Sequence, residues 1–279
     1  MKCFYHSADL DGKCSAAIVL KGFEGLEMEA LPINYGNPFP WDSITEGELV
    51  YMVDFGLQPF SDMLRLNDMA DLIWIDHHKT AIQAHHDHGI APEINGLRRV
   101  GEAGCELTWQ FVFPGRPMPD VVRLLGRYDV WDHSDDTVLP FQYGMRLEDP
   151  EPESVIWESL LNGACIESIF RHGLVCLQYQ NQQNAGRAKS CSFETELDGL
   201  RLIAMNHGMG NSQCFDTVYD KEKHDAMCLF SYRKGSWTFS LYSTKDDVDV
   251  GEFCKARGGG GHQGAAGFQC KILPEGLLV

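Results

Sequence analysis

The sequence predicts an α/β protein in which a parallel-sheet N-terminal domain is joined by a helical connector to a smaller α/β C-terminal domain. Three observations carry this expectation. Over residues 1 to 130, short apolar runs of strand length alternate with amphipathic segments of helical length, the pattern of strand and helix units that build a parallel sheet. From about 150 to 190 the pattern is helical throughout and turns polar in its second half. Beyond that, closely spaced β-rich runs and turns replace the alternation. The expected boundaries are 1–150 for the first domain, 151–190 for the connector and 191–279 for the second domain.

Taken in order, "KCFY" (2–5) reads as a strand and "GKCSAAIVLKGF" (12–23) as the helix after it. "EMEALPIN" (27–34) and "LVYMV" (49–53) read as strands, "PFSDMLRLNDMA" (59–70) as a helix and "LIWI" (72–75) as a strand. "AGCELTWQFVF" (103–113) and "PDVVRLLGRYD" (119–129) read as helices. In the C-terminal part, "LRLIAMN" (200–206), "DAMCLFSYR" (225–233) and "SWTFSLYS" (236–243) read as strands, followed by a short helix, a glycine run and "GFQCKIL". With 279 residues, 44% of them hydrophobic, the chain can bury one large core or two moderate ones.

Composition narrows the function classes. No apolar run approaches the length of a membrane span, and "MKCFYHSADLDG" lacks the apolar block of a secretory signal, so a cytoplasmic protein without membrane attachment is expected. The 10 cysteines contain no CxxC pair and mostly sit beside apolar neighbours, which reads as reduced, buried thiols. The formal net charge is −17, and no run of Lys and Arg offers a stripe for many phosphates, which argues against long nucleic acid. The excess acid fits a small substrate, local positive charge from bound metal, or solubility alone.

Ligands of parallel sheets gather at the carboxyl ends of strands. There the sequence places His6, Asp9 and Asp11 after the first strand, Asp54 after "LVYMV", and Asp76, His77 and His78 after "LIWI". Each has a plainer reading: Asp11 before Gly12 as a helix cap, Asp54 as a turn former. Jointly they read as a metal site, because carboxylates packed so closely must protonate or bind cations. Mixed carboxylate and imidazole donors without thiolate suit Mn(II), with Mg(II) or Co(II) as alternatives, and two ions can share one bridging carboxylate. "AHHDH" (84–88) reads as a solvated helix end. In "RYDVWDH", Asp129 and Asp132 read as caps, either of which could complete a metal site.

In this order and at these spacings, "HSADLDG", "VDFG", "DHHK" and the aspartate of "RYD" resemble the four motifs of the DHH phosphoesterase superfamily. "ARGGGGHQGAAGF" (256–268) resembles the glycine-rich signature of the substrate-binding domain associated with one branch of it. The "HxxDLDG" opening and "DHHKTA" look most like the nano-RNases, which trim very short RNAs and in several members dephosphorylate 3′-phosphoadenosine 5′-phosphate. The resemblance implies two divalent ions: His6, Asp9 and Asp54 on one, and Asp11, Asp54, His77 and Asp129 on the other, with Asp54 bridging. It also implies that His78 contacts the scissile phosphate and that Asp76 orients a neighbouring histidine.

In the second domain the run Gly258, Gly259, Gly260 and Gly261 has no side chains to block backbone approach, so its amides can cradle a terminal phosphate while His262 adds a donor. Arg257 and Lys245 are the candidate cations for that phosphate, and Asn206 and Ser212 candidate lining residues. The expected partner is a short oligonucleotide or small phosphorylated nucleotide; homodimerisation is compatible with the sequence. Rival readings are a phosphodiesterase of linear or cyclic dinucleotides, a polyphosphate or pyrophosphate hydrolase, and a nucleotide-binding regulator without turnover. Pyrophosphatases of the superfamily lack the glycine signature, which counts against that option.

Overall fold

The computed structural model describes residues 1–89, 93–275 and 277. The chain divides into two compact units, Met1–Leu177 and Gln178–Val279. The first contains β1 (Lys2–His6), α1 (Leu10–Gly22), β2 (Glu29–Ile33), β3 (Leu49–Val53), α2 (Ser61–Met69), β4 (Asp71–Ile75), α3 (Lys79–Asp87), α4 (Gly104–Val112), α5 (Asp120–Asp129), α6 (Val138–Met145) and α7 (Val155–Leu161). Its four strands form a parallel sheet in the order β2-β1-β3-β4.

The continuous apolar runs of β1, β3 and β4 follow from burial on both faces. Phe4, Val50, Met52, Leu72 and Trp74 point to one face, where they pack with Met63 and Leu66 of α2. Cys3, Tyr5, Tyr51, Val53, Ile73 and Ile75 alternate with them and pack with Ala16 and Val19 of α1 and Leu107 of α4. A further helical layer buries Trp109, Leu124, Phe141 and Trp157. Tyr5 pairs with Val53 and Val53 with Ile75, so the carboxyl ends of these three adjacent strands are level.

The α/β fold class expected from the sequence holds, with local differences. α1 starts at Leu10, two residues earlier than its sequence pattern suggests, because the Asp9 carboxylate accepts the Gly12 N–H at 3.0 Å and caps the helix. The capping reading of Asp11 is thereby overturned: Asp11 lies inside the first turn. α6 escapes the sequence reading because Pro140 looks like a breaker; in the first helical turn its missing N–H costs no intrahelical bond.

α8 (Glu167–Cys191) carries the chain into the second unit. That unit holds β5 (Ser192–Leu197), β6 (Leu200–Asn206), β7 (Ala226–Arg233), β8 (Ser236–Tyr242), α9 (Val250–Lys255), β9 (Gly260–His262) and β10 (Ala265–Cys270). The sheet order is β5-β6-β7-β8-β10-β9, with only β6 and β7 parallel. Leu202, Ala204, Cys228, Phe230, Phe239 and Leu241 form one buried face with Val250 and Cys254 of α9, and Ile203, Met205, Met227 and Leu229 the other. β5 is missed in sequence because it is a half-exposed edge strand with polar alternation. The glycine run is not a loop: part of it is strand β9, paired with β10.

Candidate metal centre

The level ends of β1, β3 and β4 bring the sequence-selected acids and histidines together. His6 closes β1, Asp54 follows β3 directly, and Asp76 to His78 follow β4. Gly12 seats α1 hard against the end of β1; a Cβ there would lie 2.0 Å from the His6 carbonyl oxygen. Asp54 has φ 54°, the left-handed region that a short polar side chain tolerates better than most. Asp129 arrives from the last position of α5.

Three sets of side chains have ligand atoms within 4.8 Å of one another: His6, Asp9 and Asp54; Asp11, His77 and Asp129; and Asp54, His77 and His78. His6 Nδ1 is 3.1 Å from Asp9 Oδ2 and 3.6 Å from Asp54 Oδ2. His77 Nε2 is 3.2 Å from Asp54 Oδ1, 3.3 Å from Asp129 Oδ2 and 3.9 Å from Asp11 Oδ2. Asp54 is thus common to both flanks of the cluster. Asp132 lies apart from these sets; it accepts from Arg127 at 2.9 Å and from the Ser134 N–H at 3.0 Å.

Electrostatics oppose this arrangement when no cation is bound. Burial, then the Asp11 charge, raises the Asp54 pKa well above the ordinary carboxylate value; burial, then Asp11 and Asp54, does the same to Asp129. Burial works against the His6 imidazolium, but the nearby Asp54 and Asp9 carboxylates prevail and push it up to about 10. Burial likewise opposes ionisation of Asp9, and His6 outweighs it, lowering that pKa. His6 Nδ1 and Asp54 Oδ1 are nonetheless buried without hydrogen-bond geometry to any partner. A buried polar atom left so costs about 1–3 kcal/mol. Imidazole and carboxylate atoms that lie close together outside hydrogen-bond geometry, without thiolate, fit a divalent ion.

Asp76 is fully buried and acts through its neighbours. Its Oδ1 accepts the backbone N–H of His77 at 2.7 Å and of His78 at 3.0 Å, and lies 2.7 Å from His78 Nδ1. The histidine that Asp76 orients is therefore His78. Burial disfavours the His78 imidazolium, but the Asp76 hydrogen bond overrides it and raises the pKa.

The sequence reading missed the support beneath Asp11. The amides of Gly104 and Cys105, at the start of α4, each donate to Asp11 at 2.8 Å, placing the positive end of that helix against the carboxylate. A Cβ on Gly104 would stand 2.7 Å from Asp54 Cβ and 2.9 Å from Asp11 Oδ2. The available signal was the Ala103-Gly104 pair opening an amphipathic helix.

The other selected residues all lie in the second unit. Asn206 ends β6, and Ser212 begins a short 3-10 turn, Ser212–Phe215. Gly258 and Gly259 connect α9 to β9, which holds Gly260, Gly261 and His262. Gly261, at φ 143°, allows close pairing: a Cβ would meet Ala266 Cα at 2.5 Å. The Arg257 guanidinium lies 3.6 Å from the Phe253 ring centroid, donates to the Phe253 carbonyl at 2.7 Å and pairs with Asp198. Lys245 pairs with Asp225 at 2.9 Å. Both cations expected to meet a phosphate therefore have carboxylate partners.

Comparison with models of known protein families finds no match. An uncharacterised protein of Acanthamoeba polyphaga mimivirus is 25% identical over 227 residues, which is 78% of this chain and 52% of that protein. The chain thus spans about half the length of the curated relative it matches. Among solved structures, a pGpG-specific phosphodiesterase from Vibrio cholerae superposes with a TM-score of 0.55 at 14% identity, over 97% of this chain and 93% of that one. An exopolyphosphatase-related protein from Bacteroides fragilis gives 0.50 at 13% identity, over 98% and 87%. These likenesses show a shared α/β fold that extends through both units.

Proposed function

We propose that this chain is a metal-dependent phosphoesterase of the DHH type that hydrolyses short oligonucleotides, in the manner of a nano-RNase, and 3′-phosphoadenosine 5′-phosphate. The observation that carries the reading is the sharing of Asp54 between two flanks of one cluster, with His6 and Asp9 on one side and His77 on the other, where His77 in turn meets Asp129. His6, Asp9 and Asp54 would hold one divalent ion, and Asp11, Asp54, His77 and Asp129 a second. When bound, such ions supply Lewis acidity toward a phosphoryl oxygen and acidify water near neutrality.

The chain's own residues do the rest. Asp76 fixes the His78 ring by its Nδ1, so that this imidazole can meet the phosphoryl group in one orientation. The α4 amides hold Asp11 in place. Nothing in this scheme needs a nucleophilic side chain. A terminal phosphate on β9 remains the proposal for Gly258 to His262, with Asn206 and Ser212 as secondary candidates.

A second reading has support from the Vibrio cholerae likeness: the substrate is a linear dinucleotide such as pGpG. Both readings face one experiment. Purified protein shown to hold Mn(II) is incubated with labelled dinucleotides, pGpG and 3′-phosphoadenosine 5′-phosphate. Release of mononucleotide or phosphate supports the proposal; no product from any of them overturns it.

A further inference from the structure

Resting on the phosphoesterase reading, we propose that Trp131 is a stacking surface for a nucleobase of the substrate, which makes the centre selective for phosphoesters that carry a base. α5 ends at Asp129, whose Oδ2 lies 3.3 Å from His77 Nε2 in the acidic cluster. Trp131 stands two residues on, so its Cα is within about 8 Å of the Asp129 Cα. A tryptophan is ordinarily buried for most of its surface, yet this one is 49% exposed.

The backbone at Trp131 is held with φ 60°, in the left-handed region that bulky side chains avoid. Asp198 and Lys234 share that conformation, but each precedes a positive-φ glycine in a hairpin turn, which explains them. Trp131 makes no such turn. Neighbouring bonds impose its conformation: its N–H donates to the Tyr128 carbonyl at 3.1 Å, and the Asp132 N–H to the Arg127 carbonyl at 2.8 Å. The Arg127 guanidinium ties down the following loop through Asp132 at 2.9 Å, Ser134 Oγ at 2.8 Å and Asp135 at 3.2 Å.

The indole itself is backed by aromatic rings. His133 lies 4.4 Å from it and Tyr128 5.8 Å, and those two rings stack on each other at 5.7 Å and 22°. The indole is thus packed on one side with about half its surface still open, on the loop that leaves Asp129. Single-stranded nucleic acid sites hold bases on such exposed, immobilised rings. Polyphosphate offers no π-face, so Trp131 gives it nothing.

The test compares wild type with W131F and W131G. Glycine removes the ring while suiting the left-handed backbone, so the fold should survive. Binding of a labelled dinucleotide is read by fluorescence anisotropy with Ca(II), hydrolysis with Mn(II), and inorganic tripolyphosphate serves as the base-free competitor. W131G should weaken dinucleotide binding and raise KM by at least about fivefold, the low end of one stacked base, with kcat little changed. W131F should retain most of the affinity, and tripolyphosphate competition should be the same in all three.

Unchanged dinucleotide affinity in W131G overturns the proposal, as does an equal loss for tripolyphosphate. Selective loss of dinucleotide binding by protein that hydrolyses nothing would uphold the stacking surface and overturn the phosphoesterase reading. Normal hydrolysis and binding by W131G would do the reverse.

Discussion

Gly104 sits so close to Asp54 that a Cβ at position 104 would come within 2.7 Å of the Asp54 Cβ. The glycine belongs to α4 and the aspartate to the tip of β3, so one helix start supports two carboxylates of the cluster, Asp54 by contact and Asp11 by hydrogen bonds. Gly104→Ala should improve helix propensity by up to about 1 kcal/mol and still damage the site. Calorimetric titration of metal-free protein with Mn(II) should show affinity reduced about 10- to 100-fold, the usual cost of disturbing support behind a ligand. Wild-type affinity in this variant would mean that Asp54 can be displaced harmlessly.

Asp54→Ala should reduce bound Mn(II) at both positions, because the two flanks share that carboxylate. On the two-ion proposal, metal content by atomic spectroscopy should fall from two ions per chain in the wild type towards none in the variant, with turnover at background. A variant that still held one ion tightly would show that Asp54 serves one flank only.

His78→Ala separates metal holding from chemistry. Metal content should stay near the wild-type value while kcat falls about 100-fold or more, as expected for loss of a positioned polar group at a phosphoryl centre. Asp76→Asn should also lower kcat, since it changes the partner that holds the ring at 2.7 Å. Equal kcat in wild type and His78→Ala would remove His78 from the reaction.

Cation binding should raise thermal stability, because it relieves carboxylate crowding in the folded state alone. At an Mn(II) concentration one hundred times Kd, the gain is about 2.7 kcal/mol per site, visible as a rise of several degrees in Tm. Chelator should reverse it, and Asp54→Ala should abolish the response. A melting temperature indifferent to Mn(II) would contradict the site.

In the second unit, Asp225 pairs with Arg201 at 2.6 Å and Lys245 at 2.9 Å, and the Arg201 hydrogen bond foremost holds its pKa below the ordinary value. A depressed carboxylate pKa stabilises the fold above the unfolded value of about 4, and that contribution disappears as pH falls through the folded value. Urea midpoints should therefore separate wild type from Asp225→Asn at pH 7 and converge on acidification below about pH 4. A gap that stayed constant down to pH 2 would rule out this linkage.

The acid–histidine cluster was legible where side chains follow apolar runs. His6, Asp54 and Asp76 to His78 each stand at the end of a strand, and strand tips are where parallel sheets gather polar groups. The order β2-β1-β3-β4 was not legible, since sequence alone does not say that β1 lies beside β3. Asp129 and Asp132 had equal claims on sequence pattern; the helix ending at Asp129 brings only that residue within 3.3 Å of His77. The amides of Gly104 and Cys105 escaped detection because every residue except proline carries one, and only tertiary placement gives an amide a role. The glycine run reads as open backbone, whereas much of it meets close pairing with β10.

The even ends of β1, β3 and β4 also make the cluster sensitive to mispairing. A slip of one residue between β1 and β3 would carry Asp54 about 3.3 Å along the strand direction and turn its side chain to the opposite face. Metal–ligand bonds tolerate displacements of only about 0.2 Å. A cation bound at this cluster would therefore act as a proofreading step for the sheet: it would reward chains whose strands have found the right partners in the right register, and give no advantage to compact chains that have not.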